Sequence, residues 1–309
     1  MNAPYNIPVL LILFNRPDTT RRVFEKIKAI KPKFLFIAAD GPRIDKPDEK
    51  ELCESARSIV DEIDWDCDLK TFFRTENVGC GRGPSEAITW FFEHVEMGII
   101  LEDDCVPSLP FFNYCEKMLI QYEKNEQVWI VSGRSHYTKS NQFNTVDYLF
   151  SNYALTWGWA TWKRCWKHFD IHLENHWPDF YRSGGYKNVY LSRVEGYFWN
   201  FFYSRLYREK NLATHVWDFQ FAFCMHLNRG LTIIPAKNLI KNIGCDGTHF
   251  AGATKALNLR ASEVFSIENE PTYILPNRNY ELYHFTHDFI DRLLTFIRNR
   301  IRKIINKVK

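Results

Sequence analysis

The sequence predicts an α/β fold: a mostly parallel sheet flanked by helices. Three observations carry that reading. Apolar runs and helical patterns alternate through the first hundred residues. The first run, Pro8 to Phe14, is apolar throughout, as expected of a strand covered on both faces. Four successive strands then end on polar or charged residues, which connections between parallel strands bring to one edge of the sheet.

The elements follow in order. Asn15-Arg-Pro-Asp-Thr-Thr after the first run has turn and N-cap chemistry, and RRVFEKIKAI continues it as a helix. Phe34 to Ala38 reads as the second strand, closed by Ala39-Asp40-Gly41-Pro42. Residues 47–63 form a charged amphipathic helix, Lys70 to Arg74 the third strand, Pro84 to His94 a helix and Gly98 to Leu101 the fourth strand. Beyond residue 110 the pattern is less regular. A helix is expected over 110–124, a strand at Val128 to Ser132 and helices over 194–210 and 217–229, with the Trp-rich LTWGWATWKRCWKHFD at 155–170 between them. Neither repeats nor a low-complexity linker interrupt the chain, so residues 1–286 are expected to form one domain.

Composition narrows the function classes. The chain has 309 residues, 45% apolar and 25% charged, enough for a substantial core. A net charge of +3 is too small to indicate a nucleic-acid partner. The eight cysteines are scattered without a zinc-ligand spacing, which suits reduced thiols in a cytoplasmic protein. PVLLILF is too short to span a bilayer, lacks a basic leader and runs into NRPD, so it is not read as a signal peptide. The ten tryptophans suit either sugar-stacking faces or a tryptophan-rich core.

The chemistry concentrates at the predicted strand ends. GIILEDDCVP drives an apolar run into Glu102, Asp103 and Asp104. Three adjacent carboxylates repel one another, and a hard divalent cation such as Mn²⁺ or Mg²⁺ relieves the repulsion. Such a cation would also neutralise a diphosphate; a solvated acidic turn is the plain alternative. Arg16, Arg74 and Arg82 lie on segments expected to reach the same edge, as does Asn77. Gly79, Gly81 and Gly83 form a glycine-spaced loop before a helix, able to bring backbone N–H groups to phosphate but matching no phosphate-binding fingerprint. Asp40 suits a base or ribose contact and equally a turn. Asp218, in HVWDFQ, opens a helix, where it serves as an N-cap or as an ionised general base beside Trp217.

The tail differs in kind. Over residues 287–309, Ile290, Leu293, Leu294, Ile297, Ile301, Ile304, Ile305 and Val308 recur at helical spacing among seven arginines and lysines. This predicts a basic amphipathic helix, which either packs on protein or docks on an anionic membrane surface.

PVLLILFNRP, NVGCGRG, GIILEDDCVPSLPFF, VWIVSG, WGWATW and HVWDFQ occur in the order found in nucleotide-diphospho-sugar glycosyltransferases of the GT-A fold. The segment around EDD, with Phe111-Phe112, Trp217-Asp218 and the stretch from Asn242 to Phe250, resembles the Golgi N-acetylglucosaminyltransferase that acts on high-mannose N-glycans. The resemblance covers roughly residues 7–250 and implies a donor half over about 1–132 and an acceptor half over about 133–286. It implies that Asp104 is the metal ligand, with His249 a further contact, and that Glu102 and Asp103 lie near the ribose and the metal's waters. Arg16 and Asp40 would contact phosphate and base, and Arg74, Asn77, Gly79 and Arg82 would complete the donor site. Asp218 would be the base of an inverting displacement. For the acceptor, Trp157, Trp159 and Trp217 offer aromatic faces, although WGWATWKRCW reads equally as core.

The expected function is metal-dependent transfer of a sugar from a nucleotide diphosphate, a UDP-sugar above all, to a glycan or glycolipid acceptor in surface polysaccharide synthesis. Without the Golgi enzyme's anchor and stem, the chain looks more like a bacterial relative acting in the cytoplasm, peripheral to the inner face of the membrane. Two rivals stand beside this. A nucleotidyltransferase would want a glycine-rich basic loop after the first strand, where FNRPDTT stands. A binding protein with a decayed transferase fold would keep the scaffold and lose turnover.

Overall fold

The computed structural model describes residues 5–135, 145–244 and 259–290, together with 293–294 and 297–298. The first half alternates as its sequence predicts: β1 (Val9–Leu13), α1 (Pro17–Ile30), β2 (Phe34–Ala39), α2 (Glu49–Arg57), β3 (Asp68–Phe73), α3 (Gly79–His94) and β4 (Met97–Glu102). Then follow β5 (Cys105–Pro107), α4 (Leu109–Gln121), β6 (Val128–Ser132), β7 (Tyr148–Ser151) and β8 (Trp159–Trp162). Helices α5 (Lys163–Trp166), α6 (Trp177–Ser183), α7 (Tyr186–Val189), α8 (Arg193–Arg208), α9 (Lys210–Ala213) and α10 (Asp218–Leu227) lead to β9 (Leu231–Pro235), β10 (Ile240–Asn242) and α11 (Arg278–His284).

An eight-stranded sheet in the order β3-β2-β1-β4-β8-β6-β9-β7 forms the centre. β1 to β4 are mutually parallel, and β8 runs antiparallel to both β4 and β6. β6 and β9 therefore share the direction of the first four strands, and only β7 and β8 oppose it. Every residue of β1, β6 and β9 is buried, as a sheet sandwiched between helices requires.

Local chemistry accounts for the elements. Pro17 sits at the first position of α1, where its missing N–H costs nothing, and Lys31 closes the helix in the left-handed region at φ 46°. Thr20, Val23, Phe24 and Ile27 recur at helical spacing and form the buried face of α1. Glu49, 7% exposed, accepts hydrogen bonds from Asn15 Nδ2 at 3.1 Å and from the Arg43 guanidinium, tying the loop after β2 to the end of β1.

Two expectations change. The helix expected from Pro84 begins at Gly79, so the glycine-spaced segment forms the first turn of α3 and is no loop. The Trp-rich segment supplies a central strand, and Trp159 of β8 has no exposed surface. Trp159 meets Trp217 at 5.7 Å and Phe221 at 5.5 Å between ring centroids, inside a core that extends from Tyr5 to Ile240. A smaller aromatic cluster lies beside it: Leu173, Trp177, Tyr203, Leu206 and Phe223. Most of the amphipathic tail expected at 287–309 falls outside the described residues; Leu294 and Ile297, which are described, are helical and exposed.

Two predictions follow from this packing. Trp159→Ala should cost about 3–5 kcal/mol in denaturant unfolding, the loss expected for a buried Trp in a close-packed core; a sugar-stacking Trp would leave stability nearly unchanged. Glu195 of α8 is fully buried and accepts a hydrogen bond from the Tyr153 hydroxyl at 3.1 Å. Burial pushes its pKa from 4.5 up to about 7. The folded chain thus holds a proton that the unfolded chain has released, and this contribution to stability is lost as pH rises from about 4.5 through 7. Glu195→Gln should flatten that segment of the stability–pH curve, measured as the difference from wild type.

Candidate active site

Strand β4 ends at Glu102 and β5 starts at Cys105, so Asp103 and Asp104 make the turn between them. β1 lies parallel beside β4, and its exit through Phe14 and Asn15 brings Arg16 over that turn. The Arg16 guanidinium bridges two carboxylates, pairing with Asp103 and meeting Asp104 Oδ2 at 3.1 Å. Asp103 is 3% exposed and also accepts the Phe14 N–H at 3.2 Å, so it clamps the ends of β1 and β4 together instead of facing a ligand. Glu102 and Asp104 keep partial exposure.

The cluster is electrostatically strained. Burial, with Asp104, Asp103 and Asp218 as neighbouring negative charges, pushes the Glu102 pKa up to about 8, against the opposing pull of Arg16. Burial raises Asp103 to about 6, although Arg16 pulls the other way. The Arg16 guanidinium is held even more firmly charged than usual by its two partners, despite its own burial. Three carboxylates, Asp103, Asp104 and Asp218, thus act on Glu102, with Arg16 as the opposing positive charge. Such an excess of hard oxygen donors fits a divalent cation. Among the described residues, however, no group of three or more His, Cys, Asp or Glu side chains forms a ready-made cage. His249 lies outside the described residues.

A second layer supports Asp104. β10 pairs antiparallel with β5, which sets Asn242 opposite Cys105 and its Nδ2 within 3.5 Å of Asp104 Oδ1. Asn242 Oδ1 accepts the Gly244 N–H at 2.9 Å. A Cβ on Gly244 would stand 2.3 Å from Asp104 Oδ2, so only glycine lets the chain pass this carboxylate. Gly244 was not singled out in the sequence because its partner is 140 residues away. The nearest signal was its place in the stretch from Asn242 to Phe250.

Asp218 reaches the cluster by a different route. It is the first residue of α10, with Trp217 preceding it at the cap position, so it is not the N-cap. Segment 214–216 lies against the first turn of α3, where a Cβ on Gly81 would come within 2.3 Å of Thr214 O. The Cys80 thiol donates to His215 O at 3.0 Å, and buried Gln220 donates to Val216 O at 2.9 Å. Asp218 raises the pKa values of both the Cys80 thiol and Glu102, so it lies within electrostatic reach of the acidic turn. Gly81 thus serves backbone-to-backbone contact with the segment that leads into Asp218.

The remaining candidates divide into two groups away from the acidic turn. Asp40 accepts N–H groups from Gly41 at 2.9 Å, Val78 at 3.0 Å and Gly79 at 3.1 Å, while Asn77 Nδ2 donates to Gly41 O at 2.9 Å. These contacts bind the ends of β2 and β3 to the start of α3. Burial lifts the Asp40 pKa against those N–H bonds. Arg74 and Arg82 both pair with Glu86. Arg82 lines a cavity of about 610 Å³ with Phe169, Asp170, His172 and Asn175. Arg57, unforeseen in the sequence, donates to Asp40 O at 3.1 Å.

Of the tryptophans, Trp159 and Trp217 are core, at 0% and 5% exposure, and offer no face to a sugar. Short-period apolar strands and aromatic binding patches look alike in sequence, which is why Trp159 was a candidate. Trp157 is half-buried, and the Arg134 guanidinium sits 3.8 Å from its ring centroid.

A scan against family models and a search of curated proteins found no match. Solved structures similar to this chain include HddC from Yersinia pseudotuberculosis (10% identity, TM-score 0.33, 55% of this chain and 85% of that one). Mouse xyloside xylosyltransferase 1 aligns at 11% identity and TM-score 0.32, over 71% of this chain and 81% of its own. The 4-diphosphocytidyl-2C-methyl-D-erythritol synthase of Anaerococcus prevotii aligns at 9% identity and TM-score 0.28, over 66% and 84%. At such low scores the chemistry rests on the site's own residues.

The contact at Gly81 makes a prediction. Gly81→Ala should detach the 214–218 segment from α3, raising amide hydrogen exchange there at least about tenfold while the amides of β1 and β4 stay protected.

Proposed function

We propose that the chain is a metal-dependent glycosyltransferase of the GT-A type, taking its sugar from a nucleotide diphosphate and passing it to a glycan or glycolipid acceptor. The observation that carries this reading is the acidic turn at the carboxyl edge of a parallel sheet, where Arg16 pairs with Asp103 and Asp104 while Glu102 feels Asp104, Asp103 and Asp218 as neighbouring charges. A carboxylate group with so little compensating charge suits a site completed by a divalent cation and a diphosphate.

The residues then take distinct roles. Asp104, partly exposed and braced by Asn242, would hold Mn²⁺ or Mg²⁺. That ion supplies Lewis-acid stabilisation of the departing diphosphate. Arg16, already spanning Asp103 and Asp104, adds positive charge on the same side. Asp218, at the start of α10, takes the proton of the acceptor hydroxyl as that oxygen attacks the sugar. A base acting on a single displacement yields inversion. Glu102 lies between the two functions, within electrostatic reach of both Asp104 and Asp218. Asp40, Asn77 and Gly79 would shape the nucleotide pocket by fixing the loops after β2 and β3. A UDP-sugar donor, and a place in surface polysaccharide synthesis, complete the reading.

Calorimetry with UDP tests the donor half of this. UDP should bind when Mn²⁺ is present, and Asp104→Ala should abolish the metal-dependent part; no binding by the wild type under these conditions sinks the proposal. Hydrolysis of a panel of nucleotide sugars, read as released nucleotide, separates a transferase from a pyrophosphate-releasing nucleotidyltransferase. For the base, Asp218→Asn should lower turnover by about 10²- to 10⁴-fold and leave UDP affinity within about threefold. Unchanged turnover would return Asp218 to a structural role.

A further inference from the structure

None of the residues of the acidic turn lines the cavity of about 610 Å³ between α3 and the segment 169–175. Its volume falls within the range of small-molecule sites. One wall is the α3 face that carries Arg82, Ser85, Glu86 and Thr89, residues three and four apart. The other is formed by Phe169, Asp170, His172 and Asn175, and Thr214 lines the cavity as well.

The second wall is held rigidly. Asp170 accepts the N–H groups of His172 at 3.0 Å and Asn175 at 2.9 Å, and Leu173 between them adopts the left-handed region at φ 57°. Leu173 is buried, which anchors the turn in the aromatic cluster shared by α6, α8 and α10. Half-buried Phe169 lies on Trp166 with 4.5 Å between centroids and 8° between planes. Trp166 Nε1 in turn donates to Thr89 Oγ1 at 3.0 Å, tying this stack to the α3 wall.

The lining indicates which ligand fits. Around the cavity the guanidiniums of Arg74 and Arg82 balance the carboxylates of Glu86 and Asp170. Both arginines pair with Glu86, and Asp170 is met by its two N–H groups. These four groups leave no net charge that calls for an ion. Hydrogen-bonding capacity remains, however. The Nδ1 of His172 is buried without a hydrogen-bond partner among the described residues. The exposed Asn175 has no side-chain hydrogen bond among them either. A matching ligand is uncharged, rich in groups that both donate and accept, and apolar on the face that meets Phe169. A saccharide ring has all three properties, with hydroxyls around its rim and C–H groups on its faces.

We propose that this cavity binds an uncharged saccharide. Thr214 precedes Asp218 by four residues, at most about 14 Å of chain. On the transferase reading the bound rings belong to the acceptor, which then lies beside the segment that leads into the proposed base. The saccharide site itself does not rest on that reading, since neither donor nor metal takes part in it.

Ligand-observed NMR titration of the full chain, without nucleotide or metal, provides the test. The probes are maltotriose, cellotriose, mannotriose and triacetylchitotriose, with trigalacturonic acid as the charged control. Wild type should bind at least one neutral trisaccharide about tenfold more tightly than the acid. Phe169→Leu keeps an apolar contact with Trp166 but removes the aromatic face, and should weaken that binding roughly tenfold. Asn175→Ala, at an exposed position, should weaken it about three- to tenfold. Both variants should keep wild-type thermal unfolding and wild-type UDP affinity. Failure of every neutral trisaccharide to bind overturns the inference, as does binding that both variants leave unchanged, or a preference for the acid. Variants that lose UDP instead would assign the cavity to the donor and overturn it equally. If UDP fails to bind wild type while trisaccharide binding responds to both variants, the saccharide site is supported and only the transferase reading falls.

Discussion

The acidic turn after β4 shares the sheet edge with one guanidinium, and much of the surrounding structure serves to hold the two together. Arg16 is the pivot. It leaves β1 over the end of β4, spans Asp103 and Asp104, and by clamping the inner carboxylate leaves the outer one presentable. The three acidic residues of the turn consequently differ in character. Asp103 is a buried structural clamp, Asp104 a braced and partly exposed carboxylate, and Glu102 a partly exposed group whose ionisation burial and the other two resist. Repulsion of this kind destabilises the fold, and local strain concentrated at one strand end is what a functional site looks like in energetic terms.

Positioning of Asp218 rests on an opposite sort of force, close contact without charge. The first turn of α3 has no side chains at Gly79, Gly81 and Gly83, so the backbone at 214–216 can lie directly against it. Asp40 fastens that turn from below through the Val78 and Gly79 N–H groups. A residue beyond position 200 is thereby registered against one near position 100 through two turns of backbone. Rigid backbone contact holds a side chain's anchor more tightly than a flexible side-chain bridge would.

Much of the first half was legible in sequence because its signals are local. Continuous apolar runs, a proline at the start of α1 and the acidic turn after β4 each sit within a few residues of the structure they specify. Arg16 and the carboxylates were readable together because parallel strands send their ends to one edge. The second half resisted reading where meaning depends on distant contact. WATW is short, apolar and aromatic, and nothing within it distinguishes a central strand from a sugar platform; its position between β4 and β6 decides. Gly81 looks like phosphate-loop chemistry until Thr214 is seen against it. Arg74 and Arg82 share a further partner, Glu86, one turn beyond Arg82 on the same helix.

The insertion of β8 between β4 and β6 has a consequence for how the chain acquires its structure. During synthesis, β1 to β4 emerge as a four-stranded parallel sheet, but the outer edge of β4 stays open until Trp159–Trp162 arrives some sixty residues later. That edge belongs to the very strand that carries the acidic turn. Within the first 132 residues β4 therefore keeps an unpaired ladder on that side, which invites association with other chains. Closing the sheet through a distant antiparallel strand raises contact order, so a slow, cooperative final step follows from topology. The parallel first four strands and the strands from β6 onward become one sheet through a single tryptophan-rich strand.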